Sequence, residues 1–150
     1  MKSGPIVLIE DDEDDKMIIE DVLEELSVTN KLLWFDKAKD AFQYLLTTDE
    51  QPFIILSDVN LPGRTGVELK SQIDSNNELR RKSIPFIFYS TTIDQETVNT
   101  VYIEMTVQGY FQKKHQYHQV KDTIKLIIDY WKLCQHPNSE SEETPIHTKT

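Results

Sequence analysis

Five short apolar runs, each followed by a segment with helical spacing, constrain this chain more than any other feature. The runs are Ile6–Ile9, Leu32–Phe35, Phe53–Ser57, Phe86–Ser90 and Tyr110–Gln112. They are β-branched or aromatic, and several are continuously apolar, as expected of strands covered on both faces. Between them, Ile18, Ile19, Val22, Leu23 and Leu26 form one helical stripe, and Ala38, Ala41, Phe42, Leu45 and Leu46 a second. Thr65-Gly66-Val67-Glu68 reads as a capping box opening a third helix, which carries Val67, Leu69 and Ile73. A fourth helix is expected from about Asp94, with Val98, Val101, Tyr102 and Met105. The fifth runs from about Gln116 to Cys134, with Val120, Ile124, Ile127, Ile128 and Trp131. Strand-helix alternation of this kind predicts a parallel sheet between helical layers. No repeat accounts for the period, so the expected fold is α/β. It is a doubly wound five-stranded parallel sheet with five helices, in the flavodoxin-like order 2-1-3-4-5.

At 150 residues the chain has the length of one domain, enough to bury roughly 70% of its unfolded surface. Residues 1–135 carry the alternation. Residues 136–150 include Pro137-Asn138-Ser139-Glu140-Ser141-Glu142-Glu143-Thr144-Pro145 and lack apolar periodicity, so they read as an acidic, disordered tail. A formal net charge of −10 argues against nucleic acid or an anionic membrane as partner, since both attract basic surfaces. Cys134 is the sole cysteine, which excludes an internal disulfide and fits a reducing cytoplasm. The start of the chain reads as neither a signal peptide nor a membrane span.

In open parallel sheets ligands bind beyond the carboxyl ends of the strands, where the strand order reverses. In order 2-1-3-4-5 that place lies between the first and third strands. The first strand empties into Glu10-Asp11-Asp12-Glu13-Asp14-Asp15, and the third ends in Asp58. Carboxylates about 5 Å apart repel by roughly 3 kcal/mol per pair at an effective dielectric near 20. A divalent cation converts that repulsion into binding, and hard oxygen ligands suit Mg²⁺. An acidic helix start favoured by the helix dipole is the alternative for the first block. The fourth strand ends in Ser90-Thr91-Thr92, and the fifth runs into Lys113-Lys114. Acids, a hydroxyl and an ammonium are therefore expected on one rim. Singly, Asp58 could open a turn, Ser90 could cap a strand end and Lys113 could be a solvated lysine. Their joint placement is what points to a site.

Over roughly residues 4–134 the chain resembles the response-regulator receiver domain of two-component signalling, of the stand-alone, chemotaxis-regulator type. Glu10 and Asp11 match its acidic pair. Asp58, within Ser57-Asp58-Val59-Asn60-Leu61-Pro62-Gly63, matches the phosphorylated aspartate. Ser90 matches the switch hydroxyl, Lys113 the fifth-strand lysine, and Tyr110 the switch aromatic. The resemblance implies phosphoryl transfer to Asp58 from a histidine kinase or histidine phosphotransfer protein. It implies Mg²⁺ held by Asp11, Asp58 and the Asn60 carbonyl, with Glu10 acting through water. It also implies that Ser90 and Lys113 grip the new phosphoryl group while Tyr110 moves inward. The output would then be a changed face of fourth helix, fifth strand and fifth helix, offered to a downstream protein or to a second copy in a homodimer. Asp12 to Asp15 are not expected as ligands.

Two departures stand out. Lys114 occupies the place where the family usually has a proline whose cis peptide shapes the next loop. Asn76–Ser83 is longer than in compact members and contains Arg80-Arg81-Lys82. Two other classes compete. A haloacid-dehalogenase-type phosphohydrolase also uses a strand-end Asp, but needs a second acid two residues on, where this chain has Asn60. A pseudo-receiver would bind partners without phosphorylation, against which the set Asp11, Asp58, Ser90 and Lys113 weighs. The expected protein is a signalling module and not an enzyme. His115 and His118 have helical spacing but no acidic or cysteine companion nearby, and read as solvated.

Overall fold

A computed structural model describes residues 2–92 and 94–138. These residues hold five strands and six helices. The strands are β1 (Ile6–Ile9), β2 (Leu32–Phe35), β3 (Ile54–Ser57), β4 (Phe86–Ser90) and β5 (Gly109–Gln112). The helices are α1 (Glu13–Glu25), α2 (Ala38–Thr47), α3 (Gly66–Ser75), α4 (Asn77–Lys82), α5 (Gln95–Glu104) and α6 (Tyr117–Leu133). The sheet is parallel throughout, in the order β2-β1-β3-β4-β5.

Alternate residues of each central strand feed two separate cores, as the two-residue period of a strand requires. Ile6, Leu8, Ile54, Leu56, Ile87 and Tyr89 face one side, where Ile19, Val22 and Leu23 of α1 meet Val120, Ile124, Ile127 and Ile128 of α6. Val7, Ile9, Ile55, Phe86 and Phe88 face the other, against α2, α3 and α5. Each fully buried Ile, Leu or Phe contributes about 1.5–3 kcal/mol. β1, β3 and β4 are buried along their whole length. The expectation of burial on both faces does not extend to β2, which is half-buried, or to β5, which runs from buried to exposed. Both lie at edges, where only one neighbouring strand screens them.

The sixth helix is a correction to the expected five. α4 occupies the longer Asn76–Ser83 segment, capped by the Asn76 side chain, which accepts from the Leu79 N–H at 3.0 Å. Leu79 is its one buried residue, and Ser83 closes it in the left-handed conformation at φ 51°. A single apolar anchor produces no stripe, so periodicity could not register this helix. Lys82 donates to the carbonyls of Thr48 and Glu50, tying α4 to the turn before β3.

The polar segment expected from residue 136 lies outside the described residues from 139 onward. Its first residues are packed. His136 is 4% exposed, its ring stacks on Phe53 at 5.5 Å, and its Nε2 meets the Phe53 carbonyl. Asn138 donates to the carbonyls of Arg81 and Lys82. Among the described residues no helix is long and apolar enough to cross a membrane.

Candidate functional site

Parallel pairing brings the ends of β1, β3, β4 and β5 to one rim. Ile9 pairs with Ser57, and Asp58 N–H donates to the Ile9 carbonyl at 3.0 Å. The acids at residues 10, 11 and 58 thus converge across 47 positions of sequence. Glu10, Asp11 and Asp58 each offer a carboxylate oxygen, and the three oxygens lie within 4.8 Å of one another. Glu10 is 1% exposed and Asp58 is buried, whereas Asp11 faces solvent. Asp12 caps α1, accepting from the N–H groups of Asp14 and Asp15, so the next acids do form the acidic helix start that was the alternative.

Lys113 enters from the end of β5, its N–H bonded to the Ser90 carbonyl at 2.9 Å. Its ammonium meets Glu10 at 2.7 Å, Asp58 at 2.8 Å and Asp15 at 2.9 Å. Burial alone would lower the Lys113 pKa. The hydrogen bonds to Asp58, Glu10 and Asp15 reverse that and hold it above its ordinary value. Burial pushes Glu10 up to about 7; the Lys113 bond and charge oppose the rise, and the Asp58 charge adds to it.

The opposite wall comes from β4. Ser90 is fully buried, and its Oγ accepts from the Thr92 N–H at 3.1 Å. The Tyr110 ring packs on Phe88 at 5.7 Å, and its hydroxyl donates to the Thr92 carbonyl. Tyr110 is thus half-buried and tied to the β4 end. Burial raises its pKa, with the Asp94 and Asp58 charges adding to the effect. The Asn60 N–H donates to Asp58 Oδ1 at 3.2 Å, and its side-chain amide donates to the Thr92 hydroxyl. Gly66 completes the floor: an added Cβ there would stand 2.1 Å from the Asp58 carbonyl oxygen.

The structure therefore brings together Glu10, Asp11, Asp58, Asn60, Ser90, Tyr110 and Lys113. It leaves His115 and His118 exposed. The peptide bond at Lys114 is trans, and Lys114 keeps the backbone N–H that a proline would lack. Asp15 is the residue that sequence reasoning placed only in a helix start. Its place in the first turn of α1 carried no signal for Lys113, 98 positions away in sequence. The lone His136 carried no pattern, because its partner is a backbone carbonyl.

A family model described as the response regulator receiver domain matches residues 6–125. The chain is 29% identical over 130 residues to the probable methanogenesis regulatory protein FilR2 of Methanothrix harundinacea, covering 84% of this chain and 82% of that one. It is 27% identical over 131 residues to response regulator Rcp1 of Synechocystis, covering 84% and 87%. The phosphorylated cyanobacterial phytochrome response regulator RcpA superposes with a TM-score of 0.81 at 27% identity, over 91% of this chain and 99% of that one. The Mn²⁺-bound form of Rcp1 gives a TM-score of 0.77 at 25% identity, over 90% and 99%.

Proposed function

The chain belongs to the response regulator receiver family, and from that premise we propose that Asp58 is its phosphoryl acceptor. The observation that carries this assignment is the Lys113 ammonium 2.8 Å from an Asp58 carboxylate that closes the central strand. The donor is a phosphohistidine on a kinase or phosphotransfer protein. An Asp58 oxygen forms the new P–O bond as the P–N bond breaks, and the imidazole leaves with the electron pair and takes up a proton. Such transfer asks for alignment and charge neutralisation more than for covalent chemistry. Lys113 supplies positive charge where charge accumulates. The Asn60 N–H holds Asp58 Oδ1 and so fixes the rotation of the acceptor carboxylate. No residue here acts as a general acid two positions after Asp58, which favours a signalling module over a phosphohydrolase.

The donor set fits Mg²⁺. It consists of hard oxygens only, and a Mg²⁺ octahedron with bonds of 2.0–2.1 Å spaces its ligands about 3–4 Å apart. Adjacent ligands of such an octahedron stand about 3 Å apart, so a pair of these carboxylate oxygens, which lie within 4.8 Å of one another, closes by no more than about 2 Å to share the ion. Asp11, Asp58 and the Asn60 carbonyl would hold the ion, with Glu10 bonding one of its waters. When bound, the ion supplies Lewis-acid neutralisation of the incoming phosphoryl oxygens.

The partners proposed are a histidine kinase or phosphotransfer protein upstream and a protein target downstream. A cytoplasmic setting follows from that chemistry. The output face proposed is α5, β5 and α6. It exposes Tyr102 and Ile103 on α5 and Leu126, Tyr130 and Leu133 on α6, and the same apolar side chains would serve a homodimer. Residues 1–135 are the receiver unit in this reading, with His136–Asn138 packed against it.

Incubation with Mg²⁺ and acetyl phosphate, followed by intact mass, tests the assignment. The protein gains one phosphoryl group. Sustained turnover of phosphate monoesters would point instead to a hydrolase, and no gain to a pseudo-receiver. In the same experiment beryllofluoride, an acyl-phosphate mimic, shifts the Tyr110 ring resonances in the wild type. It shifts them much less in Ser90→Ala; equal shifts would remove Ser90 from the switch.

The raised pKa of Glu10 sets a pH dependence. A carboxyl with a folded pKa of about 7, against an ordinary value of 4.5, favours the folded state below that ordinary value. That advantage is lost as pH rises through about 7. In chelator, the urea midpoint of the wild type falls between pH 5.5 and pH 8, and that of Glu10→Gln falls less. Equal slopes would refute the assignment to Glu10.

A further inference from the structure

An ammonium group has three N–H donors, and all three of Lys113's are taken by Glu10, Asp58 and Asp15. If Asp58 is the phosphoryl acceptor, as proposed above, the new phosphoryl oxygens require a donor from this saturated lysine. One existing partner must yield. Glu10 has a side chain only 1% exposed, so a carboxylate released there cannot pass into bulk solvent. Asp58 is the attachment point itself. Asp15 is 36% exposed, stands on the first turn of α1, and can pass directly into water. We propose that Asp15 is the exchangeable partner of Lys113, released to solvent when a phosphoryl oxygen takes its place. Asp15 thereby sets the balance between the unmodified and phosphorylated sites.

The arrangement has two consequences. Asp15 competes with the phosphoryl group for the same N–H, so removing its charge favours the phosphorylated form. Phosphorylation also frees a carboxylate on α1, so α1 registers the state of Asp58 independently of the Ser90–Tyr110 side.

The test is beryllofluoride affinity in saturating Mg²⁺. Asp15→Asn binds about threefold to fivefold more tightly than wild type, the size of a half-exposed ion pair. Asp15→Glu restores affinity toward the wild-type value. Asp14→Asn removes the same charge from an exposed neighbour with no bond to Lys113, and changes affinity less. In the wild type, the Asp15 carboxylate carbon resonance moves to a solvated value on binding, a signature that a purely structural role would not produce. Unchanged or weaker binding by Asp15→Asn, or an equal gain in Asp14→Asn, overturns the proposal. Absence of Asp58-dependent binding in the wild type would instead overturn the acceptor assignment on which it rests.

Discussion

Asp58→Asn is expected to abolish the phosphoryl gain from acetyl phosphate while leaving the fold intact. The amide lacks the negative oxygen needed to form the P–O bond, so intact mass should show background labelling only. Stability should change by within about 1 kcal/mol, because two Coulombic effects oppose each other. The substitution removes the attraction to Lys113 at 2.8 Å and also the repulsion from Glu10 and Asp11, which share the cluster. The asparagine oxygen still accepts from the Asn60 N–H, which now bonds Asp58 Oδ1. Urea melts in chelator measure the stability term. Undiminished labelling of Asp58→Asn would move the acceptor elsewhere, and wholesale unfolding would mean that the ion pair, not the chemistry, explains the loss.

Gly66→Ala is expected to be the most damaging single-methyl change near the site. Its Cβ would lie 2.1 Å from the Asp58 carbonyl oxygen and 3.1 Å from both the Asp58 carbonyl carbon and the Phe88 ring. The nearest atom is backbone, so no side chain can swing aside. Overpacking of this kind costs about 1–3 kcal/mol and occasionally more. Relief requires moving the end of β3 or the start of α3, and either displaces the Asp58 carboxylate from Lys113. Lower stability and slower phosphorylation should therefore appear together. Gly63→Ala is the comparison: Gly63 has φ +75° but open space around its Cα, so its cost of about 1 kcal/mol is conformational. Wild-type phosphorylation kinetics in Gly66→Ala would show that this contact relaxes without reaching the site.

The sheet was legible because strands buried on both faces must be apolar along their length, and Ile6–Ile9, Phe53–Ser57 and Phe86–Ser90 had no other reading. The site followed from topology: once β1 and β3 are neighbours, Asp11 and Asp58 must converge, and Ser90 and Lys113 stand on the same rim. What escaped were single contacts. α4 is held by one cap and one leucine, neither of which has a period. The Asp15–Lys113 ion pair depends on the angle at which α1 leaves the rim, a tertiary quantity. The burial of His136 rests on stacking with Phe53 and on a backbone acceptor, and neither leaves a pattern along the chain.

His136 stacks on Phe53, the residue just before β3, while Asp58 follows the other end of that strand. At about 3.3 Å per residue, five steps of extended backbone separate these two poles by about 16 Å. A fluorophore, tether or fused module joined after Asn138 would therefore start from the far side of the sheet, remote from the mouth through which a phosphodonor must enter. A compact label held at Asn138 would sense changes at Asp58 only through the packing between them, and would leave the Asp58 rim open.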